Sequence, residues 1–296
     1  MTGFDEEEVV SPVRVSIVVP SYNQGRFLDA TLRSLFDQND PNLEVLLVDG
    51  GSTDESIDVI QRWAPRLAWW VSEKDRGQSH AINKGFERAT GDWLGWLNSD
   101  DLLLPGALAA LRAQMAGQPD VQWWTGSGQF IDERGRFLSR YGPPPLLTDP
   151  AQLSDWREHW IAQPSTFFSR GLYARAGNGV REDLHYAMDL DLWLRLLKLA
   201  PAGSIAHEMS AYRYHEAGKT SAMAVQGEAE IVMVLSEHLG LTLALDRVRL
   251  IARDRDAFLR RAERYERLLS PVSKPYSRIK QLLRRIRAHG HGAAGG

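Results

Sequence analysis

The chain has 296 residues, 43% of them hydrophobic, which suits one large domain or a domain with an extension. Its formal net charge of −3 gives the protein as a whole no electrostatic footprint of a nucleic-acid binder. It has no cysteine, so disulfides, thiolate nucleophiles and cysteine-based zinc sites are excluded.

Residues 1–12 read as a flexible, acidic segment without the charged-then-apolar pattern of a signal peptide, so the expected location is the cytoplasm. From residue 13, strand and helix patterns alternate. Residues 13–20 form a β-branched apolar run, the mark of a buried strand. The spacing predicts a helix over 27–36, a strand over 43–48 and a helix over 54–63 capped by Ser52 or Asp54. A third strand follows over 67–71, a helix over 78–89, a fourth strand over 93–97 and a helix over 105–115 opened by Pro105. Repeated β-α units of this length imply a parallel sheet with helices on both faces. Strands at 121–125 and 128–139 are then expected, with a turn at Asp132-Glu133-Arg134-Gly135. A strongly amphipathic helix is expected over 190–199. In each of the pairs Trp69-Trp70 and Trp123-Trp124, alternation along a strand should bury one ring.

Residues 221–296 read as a helical extension rich in Arg, Glu, Leu and Ala. The longest apolar run there, 231–245, is broken by Ser236, Glu237 and His238 and falls short of the roughly 18 residues of a membrane span. Residues 274–289 contain a basic amphipathic pattern, and no acidic residue occurs after Ser270. Such a helix either lies on an anionic membrane surface or is a solvated terminal helix.

Four polar loops follow the four predicted parallel strands: Pro20-Ser21-Tyr22-Asn23, Asp49-Gly50-Gly51-Ser52-Thr53-Asp54, Glu73-Lys74-Asp75-Arg76-Gly77-Gln78-Ser79, and Asn98-Ser99-Asp100-Asp101. Carboxyl ends of parallel strands lie on one edge of the sheet, where ligands bind, so the loops should converge on one crevice. Asp100 and Asp101 close a buried apolar strand. Adjacent carboxylates repel, and a divalent cation such as Mg²⁺ or Mn²⁺ reverses that cost. The alternative is an Asp pair that caps the next helix.

The ordered segments VSIVVPSYNQGRFLDATLRSL, EVLLVDGGSTDES, EKDRGQSHAINKGFERATGDWLGWLNSDD and AMDLDLWLRL resemble the family 2 glycosyltransferases of the GT-A fold, over about residues 13–220. The resemblance implies an α/β GT-A domain that moves a sugar from a nucleotide-diphosphate donor, UDP favoured, to an acceptor hydroxyl with inversion. It implies nucleotide contacts by Pro20, Tyr22, Asn23, Asp49, Asp75, Arg76 and Gln78. Asp100 would face ribose and metal, and Asp101 would bind the metal. Gly50 stands where the family commonly has a second Asp, and Met188 where it commonly has Glu. Asp189 takes the position of the general base. Gln163 falls in a segment lining the acceptor side, and His215 falls where the family often places a His near metal or diphosphate. Lys219 is a point charge available to phosphate. Asp191 is either an acceptor contact or a helix N-terminal charge. Trp156 and Trp160 are candidates for stacking on a sugar. The implied acceptor is a glycan or lipid-linked hydroxyl at the inner face of a bacterial membrane.

Other classes fare worse. A nicotinamide fingerprint should follow the first strand. Pro20-Ser21-Tyr22-Asn23-Gln24-Gly25 stands there, and the G-x-G at Gly126 and Gly128 has Ile131 where the third glycine belongs. No G-x-x-x-x-G-K-[ST] phosphate loop occurs, and the Gly-rich, Arg-containing loop of a sugar-nucleotide pyrophosphorylase is missing. A degenerate, binding-only homologue is the remaining alternative, supported by Gly50 and Met188 and opposed by Asp100, Asp101 and Asp189.

Overall fold

The computed structural model describes residues 13–155, 159–215, 218–219, 224–249 and 252–253. Trp156 and the basic stretch 274–289 lie outside them. The chain divides into two compact units, Met1–Ala244 and Leu245–Gly296.

In the first unit, β1 (Val15–Ser21), β2 (Leu43–Asp49), β3 (Trp69–Ser72) and β4 (Trp93–Trp96) alternate with α1 (Gly25–Phe36), α2 (Ser56–Trp63) and α3 (Gln78–Arg88). Next come β5 (Leu102–Leu103), α4 (Ala107–Gly117), β6 (Trp123–Ile131), β7 (Phe137–Tyr141), β8 (Thr166–Ser169) and α5 (Arg170–Arg175). The last elements are α6 (Met188–Leu197), β9 (Gly203–Arg213) and α7 (Ala224–Leu239).

One nine-stranded sheet runs β3-β2-β1-β4-β8-β6-β9-β5, with β7 paired to β6 off this path. Strands β3, β2, β1 and β4 are mutually parallel, with Val15 opposite both Leu43 and Trp93. Beyond them, β8 is antiparallel to β4 and to β6, while β6 and β9 run parallel. One side of β6 is shared: Trp123–Thr125 pairs with β8, and Gly128–Ile131 with β7.

The apolar run of β1 is explained by burial on both faces. Val15, Ile17 and Val19 join a cluster with α1, α2 and α4; Val18 points the other way, into a cluster with α3, α5, α6 and α7. Alternation along a pleated strand produces this division. The second cluster centres on Trp193, which is fully buried and stacked on Trp96 at 5.5 Å and on Trp123 at 6.0 Å. Trp193→Ala should therefore cost about 3–5 kcal/mol in urea unfolding. A loss below about 1 kcal/mol would contradict this packing, being typical of a surface change.

Several expected elements differ. Residues 121–139 do not hold two strands split at Gly126. Instead β6 continues through Gly126 and Gly128, and the turn joins it to β7. The fourth helix starts at Ala107, with Gly106 rather than Pro105 at its cap. Neither Ser52 nor Asp54 is the N-cap of α2; Glu55 takes that position, while the Asp54 carboxylate accepts from Ser56 N at 3.0 Å and from Gly25 N at 3.0 Å. The helix expected over 190–199 starts at Met188 and is buried nearly all round rather than amphipathic. Trp123 and Trp124 are both buried because β6 has core on each face, and Trp69 and Trp70 are both half-buried on the edge strand β3. The first unit reaches past residue 220 because Ile231, Val234 and Leu235 of α7 are buried in its core.

Candidate active site

The parallel set β1 to β4 brings its four loops to one edge, as the topology requires. They line a cavity of about 760 Å³ with Pro20, Ser21 and Tyr22 at the end of β1, Gly50 after β2, Lys74, Asp75 and Gln78 after β3, and Asn98 to Asp101 after β4. Arg213, Tyr214, His215 and Lys219 enter from the far side of the sheet's sequence.

The first two loops are tied together. Asn23, at a φ of 52°, donates its N–H to Ser52 Oγ at 2.8 Å and accepts from Thr53 N on its side-chain oxygen at 2.9 Å. Asp49 is fully buried. Its Oδ2 accepts from Gly51 N at 3.1 Å, Ser52 N at 2.9 Å and Ser72 Oγ at 2.7 Å, and its Oδ1 from Ser52 Oγ at 2.5 Å. These two residues thus shape the loops, and neither lines the cavity. Tyr22 is 61% exposed at its rim. Arg76 pairs with Glu182, Nη2 to Oε2 at 2.6 Å, and is also absent from the lining.

Gly50 is explained by its neighbour. A Cβ at this position would lie 2.9 Å from Asp75 Oδ2, so Asp75 occupies the space a second loop carboxylate would need. Gly50→Asp is expected to cost about 1–3 kcal/mol by overpacking, with like-charge repulsion in addition. Melting temperature and nucleotide affinity should both fall, and Asp75→Ala in the same chain should restore the former. An unchanged melting temperature in the single variant would contradict the contact.

Asp101 is 2% exposed, and its Oδ1 accepts from Arg213 N at 2.8 Å. Burial, and then the charge of Asp100, push its carboxyl well above the usual range; the Arg213 N–H and Asn98 oppose this. Asp100 Oδ2 lies 2.9 Å from His215 Nε2, and Arg213 Nε donates to Asp100 O at 2.7 Å. On its other side, His215 Nδ1 faces Arg26 Nη2 at 3.4 Å, and its ring lies 4.8 Å from Phe27. Among the described residues, no three acidic or imidazole groups form a complete metal cage. The oxygen atoms of Asp100 and Asp101 at the cavity are of the ligand type that Mg²⁺ and Mn²⁺ take, whereas the His215 imidazole is engaged by Asp100.

A second cavity of about 330 Å³ shares Gln78, Asn98, Tyr212, Tyr214 and Lys219 with the first. Asp189, in the first turn of α6, lines it beside Trp96, Ile161, Met188 and Ile231. Burial among these groups pushes the Asp189 carboxyl up to about 6, against the Leu190 N–H at 2.7 Å and the charge of Lys219. Lys219 Nζ donates to His185 O at 2.9 Å. Gln163 is 7% exposed. Its Nε2 donates to Trp96 O at 2.6 Å, and its Oε1 is buried with no hydrogen-bond partner among the described residues. Trp160 stacks on Phe130 at 5.6 Å, and Phe130 also meets Tyr212 and Tyr214, which makes an aromatic wall.

Asp191 does not enter either cavity. It is 1% exposed and bonds Arg195 Nε at 2.9 Å and His238 Nε2 at 2.9 Å, which satisfies it inside the fold. Sequence reading named Trp160 but missed Arg213 and the partners that make Trp160 part of an aromatic wall, Phe130, Tyr212 and Tyr214. A period-2 signal was present for Arg213: in the run Tyr212-Arg213-Tyr214-His215, strand alternation puts Arg213 on the face of His215 and the two tyrosines together.

The Glycosyl transferase family 2 profile matches residues 16–174. An uncharacterized protein of Mycobacterium tuberculosis (strain CDC 1551 / Oshkosh) is 30% identical over 241 residues, covering 75% of each chain. Among solved structures, S. aureus TarS 1-349 in complex with UDP-GlcNAc superposes with a TM-score of 0.63 at 17% identity, over 79% of this chain and 72% of that one. A mannosyltransferase from Pyrobaculum calidifontis in complex with GDP-Man and Mn²⁺ superposes with a TM-score of 0.56 at 21% identity, over 93% and 84%. These likenesses match the GT-A arrangement of a mostly parallel sheet between helices, and the extent of the profile match shows that the chain belongs to glycosyltransferase family 2.

Proposed function

We propose that this glycosyltransferase transfers a sugar from a nucleotide-diphosphate donor, UDP-linked for preference, to a hydroxyl of a glycan or lipid-linked acceptor with inversion. The observation that carries this reading is the joining of two cavities, one floored by Asp100 and Asp101 and the other holding Asp189. The four strand-end loops receive the nucleotide, with Tyr22 at the rim and Asp75 beside Gly50. A UDP sugar occupies the comparable fold of S. aureus TarS, which supports the donor class.

Asp100, bonded to His215, and Asp101 would hold the divalent cation, which would neutralise the leaving diphosphate when bound. The chain's own residues do the rest. Lys219 lines both cavities and adds positive charge where they meet. The Gln163 Oε1 accepts a hydrogen bond from a sugar hydroxyl, which relieves its buried, unpaired state. Asp189 takes the acceptor hydroxyl proton as the oxygen attacks the anomeric carbon, and its raised pKa suits a base working near neutrality. The aromatic wall around Phe130 and Trp160 excludes water from the acceptor side.

A thermal-shift panel tests the donor assignment: UDP, dTDP and GDP, each with Mn²⁺, Mg²⁺ or EDTA. A nucleotide at about 100 times its Kd adds roughly 2.7 kcal/mol to stability. A shift for one nucleotide that requires metal is expected. No shift with any of them would sink the reading and favour a binding-only homologue.

A further inference from the structure

The family profile ends at residue 174, yet α7, well beyond it, completes both cavities: Gln226 lines the larger and Ile231 the smaller. Gly227, Glu230, Ile231, Val234 and His238 recur at helical spacing and share one face of α7. That face lies along the catalytic helix. A Cβ on Gly227 would come within 2.7 Å of the Tyr186 ring, so the helix approaches as closely as a glycine permits. Ile231 and Val234 are buried with the apolar side chains of α6. At the far end, His238 Nε2 lies 2.9 Å from Asp191 Oδ1.

Between these contacts stands Glu230. Its Oε2 accepts from three successive backbone N–H groups, those of His185 at 3.0 Å, Tyr186 at 2.7 Å and Ala187 at 3.1 Å. Ala187 is the N-cap of α6, and no side chain caps this helix from its own turn. The Ala187 N–H, at the start of the helix, has no intrahelical partner, and the N–H groups of the two residues before it need partners as well. Here a carboxylate from a distant helix supplies it, with charge-assisted bonds. The same short segment is held from its carbonyl side by Lys219 Nζ on His185 O. Asp189 follows two residues after the last anchored amide.

We propose that Glu230 is a positioning residue for catalysis: it fixes the backbone before Asp189, so that the base meets the acceptor oxygen only while α7 is docked. This rests on the reading of Asp189 as the general base. A carboxylate displaced by about 1 Å loses on the order of 100-fold in rate. The strand-end loops after β1 to β4 are not bonded to Glu230, and of the residues it anchors only His185 lines the larger cavity, so the donor side should change much less.

The test uses the full chain with Mn²⁺ and water as acceptor, following hydrolytic release of UDP from UDP-glucose, UDP-galactose and UDP-N-acetylglucosamine. Glu230→Ala should lower kcat by about 100-fold, with a much smaller change in donor KM. The UDP thermal shift should persist, and the amides of residues 185–187 should exchange faster with solvent. Glu230→Gln keeps the size and loses the charge, so it should fall between Glu230→Ala and wild type; it also serves if the alanine variant does not fold. Wild-type kcat in both variants, unaltered amide exchange, or a parallel loss of UDP binding would each overturn the proposal. Asp189→Asn separates this from the underlying reading. If it is inactive while both Glu230 variants are fully active, the anchor is wrong and the base stands. If it turns over like wild type, the base assignment fails and with it the positioning role.

Discussion

Asp189→Asn should reduce turnover by roughly 10²- to 10⁴-fold, the span of a lost general base, with the UDP-dependent thermal shift retained. Asn keeps the shape of the side chain and cannot take a proton at the required moment. Burial pushes the Asp189 carboxyl up to about 6, which fixes the pH dependence. The base is competent when ionised, so kcat/KM should rise with pH through about 6 and level off above it. The stability effect has the opposite sign. A carboxyl whose folded pKa exceeds its unfolded value favours the folded state while protonated, and that advantage is lost as pH rises from about 4 through about 6. Asp189→Asn should therefore melt higher than wild type at pH 7.5, with its difference from wild type shrinking towards pH 4. Unimpaired turnover would remove Asp189 from the mechanism.

Asp101→Asn should abolish the metal-dependent part of nucleotide stabilisation, roughly 2.7 kcal/mol at 100 times Kd. The free protein should melt no lower than wild type. Asp101 is a carboxylate buried beside a second one, and a neutral side chain of equal size removes that repulsion while still accepting from Arg213 N. Losing ligand response without losing stability is the signature of a functional carboxylate rather than a structural one. Differential scanning fluorimetry with UDP and Mn²⁺ or EDTA reads both quantities. A variant that melts well below wild type without ligand would mark Asp101 as a structural partner of Arg213.

The first half of the fold was legible because β1, β2 and β4 are largely covered on both faces, so each reads as a continuous apolar run followed by a polar loop; β3 is short and half-buried at the edge. Legibility failed where packing decides. Gly126 and Gly128 look like a break between strands; they are glycines because Met209 Cγ and the Tyr141 hydroxyl stand where their Cβ atoms would be, 2.3 Å and 2.2 Å away. Asp191 and Arg195 gave α6 a false polar face, since they bond each other and His238 inside the protein. For the site, the strand-end loops carried their own signal, and Asp49 and Asn23 proved to hold those loops together rather than to line the cavity. Gly50 was readable as a departure from the family pattern, but its pairing with Asp75 was not, because that contact is made between two loops. Glu230 has no local signal at all: its meaning comes from three amides more than forty positions earlier in the chain.

The most direct test of metal-assisted inverting transfer is the anomeric configuration of the first sugar released from an α-linked UDP-sugar, followed by proton NMR before mutarotation, with Mn²⁺ and with EDTA. With water as acceptor, the account predicts the β-anomer in the presence of Mn²⁺, almost no release in EDTA, and almost none from Asp189→Asn. Release of the α-anomer, or equal release in EDTA, would contradict it.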